Sequence, residues 1–174
     1  MSLDQNAKAT FYQYRLLKRS IFPKAFKLSL MVIPVICLVA EIIFWGPLSL
    51  FAFIAAAPIA LWVQFVICRS VIMIVSRSSR PRWHFSWRLP WFGYIPDQYI
   101  GYLTFKKAHL HYAWIGFAVI AILIPWSPPS LIFALFFWHF WLLLPRVYSF
   151  AVLLRQRKDG MLKFTDQELS YYIQ

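Results

Sequence analysis

Hydrophobic and polar positions are shared out very unevenly along this chain. From Leu28 to Cys68 a single charged side chain, Glu41, interrupts the apolar run, and from Ala108 to Pro145 there is none. Every other Lys, Arg, Asp and Glu lies before, between or after those two blocks. A membrane crossing takes about 20 apolar residues, so each block has the length for two crossings. Each is broken near its middle by a proline-bearing turn, Gly46-Pro47 in the first and Ser127-Pro128-Pro129-Ser130 in the second. The pattern predicts an all-α membrane protein: two transmembrane hairpins (four helices) with interfacial amphipathic segments. The chain divides into a basic amphipathic N-terminal segment (1–27), a first hairpin (28–75), a basic and aromatic loop (76–107), a second hairpin (108–154) and a tail (155–174). Within the hairpins the helices are expected at about 28–45, 48–72, 108–125 and 131–154.

The flanking segments carry weaker signals. Phe11, Tyr14, Leu17 and Ile21 alternate with Arg15, Lys18 and Arg19 at a spacing that predicts a headgroup-level helix over 5–22, stopped at Pro23. A frayed basic tail is the competing reading. Pro81, Pro90 and Pro96 forbid one continuous helix through the middle loop, and a short amphipathic helix is expected from Pro96 to about His109. Near the C-terminus Asp159-Gly160 is a stop signal, and Thr165 with Glu168 matches a capping box, predicting a final helix over 166–173.

Composition agrees with a membrane location: 61% of the 174 residues are hydrophobic and 14% are charged, against roughly half and a quarter in soluble domains. The net charge of +12 could point to nucleic acid. Its distribution argues for the bilayer, because the cations gather just outside the apolar blocks, where the positive-inside rule places them. Both turns are free of charge, so both termini and the middle loop are expected on the cytoplasmic side of a bacterial cell membrane. The polar, basic first 26 residues show no cleavable signal peptide. Cys37 and Cys68 fall about 12 Å and about 30 Å from the first turn, too far apart in depth for a disulfide.

Candidate chemistry is sparse. In the middle loop Arg77, Arg80, Arg82 and Arg88 interleave with Trp83, Phe85, Trp87, Trp91, Phe92 and Tyr94. Such interleaving can stack single-stranded nucleic acid, but beside membrane helices it reads first as an interface belt. Trp83, Trp87, Trp91 and these arginines, with Arg155, Arg157 and Lys158 of the tail, are the candidates for touching a partner or the headgroups. Inside the membrane, Glu41 and His139 fall at comparable depths and form a candidate proton-handling pair. The plainer alternative has Glu41 reaching the interface and His139 bonding a backbone carbonyl. Gln64 can hydrogen-bond between helices, and Arg69 and Arg146 read as boundary anchors. Pro34 and Pro58 sit mid-helix at matched depth, ~16 Å from the turn, where neighbouring groups must satisfy the carbonyls they free. No phosphate-binding loop, dinucleotide turn, nucleophile elbow or zinc set is present, so neither catalysis nor a metal or cofactor is expected. The two hairpins share a Trp-x-Pro turn (Trp45/Pro47 and Trp126/Pro128), which either duplication or common membrane constraints would produce.

The run containing Leu89, Pro90, Trp91, Gly93, Tyr94 and Pro96, followed by a membrane hairpin and Lys158-Asp159-Gly160, resembles the TcpE-type conjugal transfer membrane proteins. The total length and the additional N-terminal hairpin are closer to the versions found in integrative and conjugative elements of Bacillus. The likeness covers residues 86–172 and leaves the first hairpin without a role. It implies a non-catalytic integral membrane subunit of a Gram-positive conjugation (type IV secretion) machine. Its partners would be the lipid bilayer, a transfer ATPase docked at the cytoplasmic face and other channel subunits. A homo-oligomer is compatible with it, and direct DNA contact is not expected. The residues alone leave a second reading open: a small multi-pass transporter or proton-coupled membrane protein using Glu41 and His139.

Overall fold

A computed structural model describes residues 15–75, 83–97, 99–154, 156, 159–165 and 168–173. Four helices dominate: α1 (Lys24–Trp45), α2 (Ser49–Val75), α3 (Tyr102–Leu123) and α4 (Pro129–Leu153). Three of them, α1, α2 over Ser49–Val71 and α4, are long and apolar enough to cross a membrane. α3 has 22 residues, but Lys106, Lys107, His109 and His111 crowd its first turns and make it more polar. It starts at Tyr102, six residues before the expected position, and takes in only the later part, 102–109, of the segment expected as a short amphipathic helix; in the earlier part Pro96 and Ile100–Gly101 are in strands. No proline intervenes between Gly101 and Pro125, so nothing stops the helix earlier.

The proline inside α1 is accommodated by a side chain of a neighbouring helix. Pro34 in α1 cannot donate to Leu30 four residues back. The indole Nε1 of Trp141 in α4 donates to that freed carbonyl instead, at 3.0 Å. One bond therefore satisfies the backbone and joins α1 to α4. A second indole, Trp138 Nε1, joins α4 to α2 by donating to the Phe53 carbonyl at 3.0 Å.

The chain is not all-α. Six short strands stand with the helices: β1 (Arg15–Ile21), β2 (Trp83–Ser86), β3 (Gly93–Pro96), β4 (Ile100–Gly101), β5 (Met161–Thr165) and β6 (Glu168–Ile173). Four form an antiparallel sheet in the order β1-β6-β5-β4, and β2-β3 is a separate hairpin. This corrects two expectations. The segment predicted as an interfacial helix over 5–22 is, in its described part, strand β1, paired from Arg15↔Ile173 to Ile21↔Glu168; residues 5–14 lie outside the described residues. The predicted C-terminal helix is strand β6. Thr165 and Glu168, which mimic a capping box, are opposed partners closing the β5-β6 hairpin. Long-range pairing overrides local preference here, and the ion pair between Arg19 Nε and the Glu168 carboxylate ties the two strands together.

One face of the sheet rests on the helix ends. Trp91, Phe105, Leu162, Leu169 and Tyr171 are buried in this layer together with Phe22 and Phe164. Trp91 is at its centre, edge-on to Phe22 at 5.0 Å and to Phe164 at 4.8 Å. Each large apolar side chain so buried contributes about 1.5–3 kcal/mol. The pairing of β1 with β6 and of β4 with β5 brings the N-terminal, middle and C-terminal segments to one end of the bundle. Among the described residues, the opposite end carries only the turns around Gly46-Pro47 and 124–128.

Candidate functional site

Where the β2-β3 hairpin meets the helices, backbone that is not helical enters the bundle. Gly93 has φ +101°, and a Cβ built there would fall 2.4 Å from Gln64 Oε1 and 3.4 Å from a terminal nitrogen of Arg146. Only glycine lets the chain pass at this distance in that conformation. The amide of Tyr94 donates to Gln64 Oε1 at 3.3 Å. Arg146 donates from one terminal nitrogen to the Phe92 carbonyl at 3.0 Å and from the other to the Leu142 carbonyl. Gln64 and Arg146 thus serve the two backbone groups that flank Gly93.

Three helices place this node well inside the bundle. Gln64 lies seven residues inside the α2 span ending at Val71, and Arg146 lies seven inside the end of α4 at Leu153. Leu30, which packs with Leu89 and Phe92 of the hairpin, lies six inside the start of α1 at Lys24. At 1.5 Å per residue Leu30 and Arg146 are ~9–10 Å in from their helix ends, and Gln64 is ~10 Å in from the end of the apolar span and ~16 Å from the end of α2 at Val75. Irregular backbone at that depth is tolerated only when protein groups satisfy it, and the side chains of Gln64 and Arg146 do so.

Around these two stand Cys68 of α2 and His109 and Tyr112 of α3, all buried. His109 Nδ1 bonds the Phe105 carbonyl of its own helix at 2.9 Å. Gln64 Nε2, His109 Nε2, the Tyr112 hydroxyl and Arg146 Nε have no hydrogen-bond partner among the described residues. Among the described residues the node holds a guanidinium, an amide, an imidazole, a phenol and a thiol. Its guanidinium and amide grip backbone groups of the hairpin.

The remaining sequence candidates distribute as follows. Arg146 is not a boundary anchor: it is 1% exposed, because the hairpin folds over it and offers it a carbonyl. Gln64 bonds the hairpin backbone, not another helix. Trp91 is a core residue at 1% exposure and is no surface contact. Trp87, by contrast, is 76% exposed and leans against Phe85 at 4.8 Å and Phe92 at 5.7 Å. Arg88 is exposed beside it, its amide held by Ser86 Oγ at 3.2 Å. Trp83 contributes its backbone to β2, opposite Pro96. Arg77, Arg80, Arg82, Arg155, Arg157 and Lys158 lie outside the described residues. Arg69 remains at the boundary, exposed, its guanidinium 5.6 Å over the Phe65 ring.

Glu41 and His139 do not form a pair. His139 Nε2 donates to the Ala113 carbonyl of α3 at 3.2 Å. Its ring packs on Tyr112 at 4.7 Å and fills the space beside Gly116, where a Cβ would fall 2.3 Å from the imidazole. Glu41 is fully buried, and neither carboxylate oxygen has a hydrogen-bond partner among the described residues. It does not reach the interface. Both cysteines are free, and among the described residues no group of three His, Cys, Asp or Glu could hold a metal ion.

At the sheet end, Arg15, Arg19, Lys24, Arg69, Arg88, Lys106, Lys107 and Lys163 are exposed, and Lys27 is half-buried. The hydrogen bond and charge of Glu168 hold the Arg19 guanidinium above its ordinary pKa. The result is a cationic, aromatic-studded end, pinned to the membrane helices through Arg146 and Gln64. Comparison with protein-family models, curated proteins and solved structures found no match to this chain.

Proposed function

We propose that this chain is a non-catalytic integral membrane subunit of a Gram-positive conjugation machine, with its sheet end in the cytoplasm docking the transfer ATPase and other channel subunits. On this reading α3 is the fourth crossing, its Lys106, Lys107 and His111 lying at the cytoplasmic headgroups. The observation that carries the proposal is the one-sided build. The N-terminal strand, the aromatic hairpin and the C-terminal strands share one cationic end, and the other end offers two short turns. A protein with so little on one side meets its partners on the other or within the bilayer. The conjugation assignment itself rests on the resemblance at Leu89–Pro96 and 158–160.

The test is co-purification of the transfer ATPase with the full chain from membranes. Reversing charge at Arg77, Arg80, Arg82 and Arg88 together should abolish the association while the protein still inserts. Undiminished association overturns the docking role, and solute or proton flux through the purified protein in liposomes overturns the non-transport reading.

A further inference from the structure

A groove of about 360 Å³ runs between α1 and α4, lined by Ile33 and Cys37 on one side and by Phe133, Phe136, Phe137, Phe140, Trp141 and Leu144 on the other. Two contacts join the helices near its ends. At one, Trp141 holds the Leu30 carbonyl that Pro34 leaves free; at the other, Trp45 meets the Phe133 ring at 5.4 Å. Pro34 lies in the α1 wall between them, and an interior proline bends a helix. α1 is also the loosest of the three spans, with 11% of its most apolar window buried against 44% in α4.

From this geometry we infer that the α1-α4 groove is a binding site for one phospholipid acyl chain from the leaflet on the turn side. No charged side chain lines it, so it has nothing to offer a headgroup and everything to offer a hydrocarbon chain. Along α4 it runs from Phe133, four residues inside Pro129, to Leu144, fifteen inside. That is ~6 Å to ~22 Å from the turn end at 1.5 Å per residue, a length matching one leaflet of a hydrocarbon core about 30 Å thick. The site is continuous with the surface that faces lipid. Phe140 and Leu144 of the wall are themselves exposed, and Val35 and Ile36 of α1 flank it at 59% and 60% exposure. The half-buried Cys37 and Phe137 line its inner part. A bound chain would fill the groove and brace α1 against α4. The inference needs only the membrane location and stands or falls apart from the conjugation reading.

Native mass spectrometry of the full chain released from phosphatidylglycerol nanodiscs should find about one phospholipid retained per chain. Cys37→Phe fills the groove and should abolish that retention. Ile36→Phe, on the outward face, should leave it unchanged. Equal retention in wild type and Cys37→Phe overturns the site. Should Cys37→Phe fail to fold, the wild-type chain decides the matter in vesicles containing phosphatidylcholine with a mid-chain diazirine. Crosslinks at Cys37 and Phe137 support the site, and crosslinks confined to outward residues such as Val35 and Ile36 overturn it. A high yield of Cys37–Cys37 disulfide on oxidation of membranes also overturns it, because a second copy would then occupy the groove.

Discussion

Gly46 and Gly93 both hold positive φ, +81° and +101°, and they stand at opposite ends of the helix bundle. At Gly46 an added Cβ would meet nothing within 4 Å; at Gly93 it would strike Gln64 and crowd Arg146. The first glycine turns a helix back through open space. The second lets backbone pass through a packed, polar gap ~10 Å inside the helices. Chain reversal at the turn end asks for a conformation and one local bond, from Ser49 Oγ to the Gly46 carbonyl at 2.7 Å, whereas the sheet end asks for a conformation, a clearance and two side-chain partners from distant helices. The sheet end is therefore the specified end, and sequence changes should hurt it more.

Substitutions at the two ends can break or sharpen this contrast. Gly93→Ala should have the largest effect, destabilising the protein by about 3 kcal/mol through backbone strain plus the contact with Gln64, read as a lowered unfolding midpoint in detergent. Gln64→Leu removes the acceptor of the Tyr94 amide and should cost about 2 kcal/mol. Hydrogen exchange should show that loss concentrated in residues 93–96. Gly46→Ala carries backbone strain alone and should cost about 1 kcal/mol; a loss equal to that of Gly93→Ala would erase the distinction between the ends. Glu41→Gln should change stability by less than about 0.5 kcal/mol and, on the proposed function, leave activity the same at every pH, since no hydrogen bond engages that carboxyl among the described residues. Activity that becomes independent of pH only in Glu41→Gln would restore a proton role.

The helical hairpins were legible because membrane helices announce themselves by local composition. The turn at Gly46-Pro47 and the ends near Trp45 and Leu153 follow from the apolar runs, and Trp141 capping the Leu30 carbonyl fits the rule that a membrane proline finds a substitute donor. The sheet was not legible in the same way. β1 and β6 are joined across more than 140 residues, and nothing local in RLLKRSI favours a strand over a basic amphipathic helix. MLKFT does alternate, with Leu162 and Phe164 buried and Lys163 and Thr165 exposed, and that period of two was the available signal. The Thr165/Glu168 spacing drew attention from it, because a four-residue motif fits a hairpin closure as well as a helix start.

The polar node was half visible. Gln64 and Arg146 stand out in apolar surroundings, but their partners are carbonyl and amide groups of a loop, and backbone groups leave no mark in a sequence. Gly93 was the overlooked clue: a lone glycine among Trp91, Phe92 and Tyr94 marks a place where other atoms come close. Trp91 misled for the opposite reason. Tryptophan beside arginine suits a headgroup belt and a buried core equally well, and only the sheet folding over it decides between them.

On the proposed function, the surfaces that meet partners all lie on one side of the membrane, and labelling of intact cells with an impermeant maleimide reads that sidedness. Leu48→Cys and Ser127→Cys, in the two turns, should react from outside. Trp87→Cys and Gln156→Cys, at the sheet end, should react only after the membrane is opened. Labelling of Trp87→Cys or Gln156→Cys in intact cells, or protection of one turn but not the other, would contradict the account.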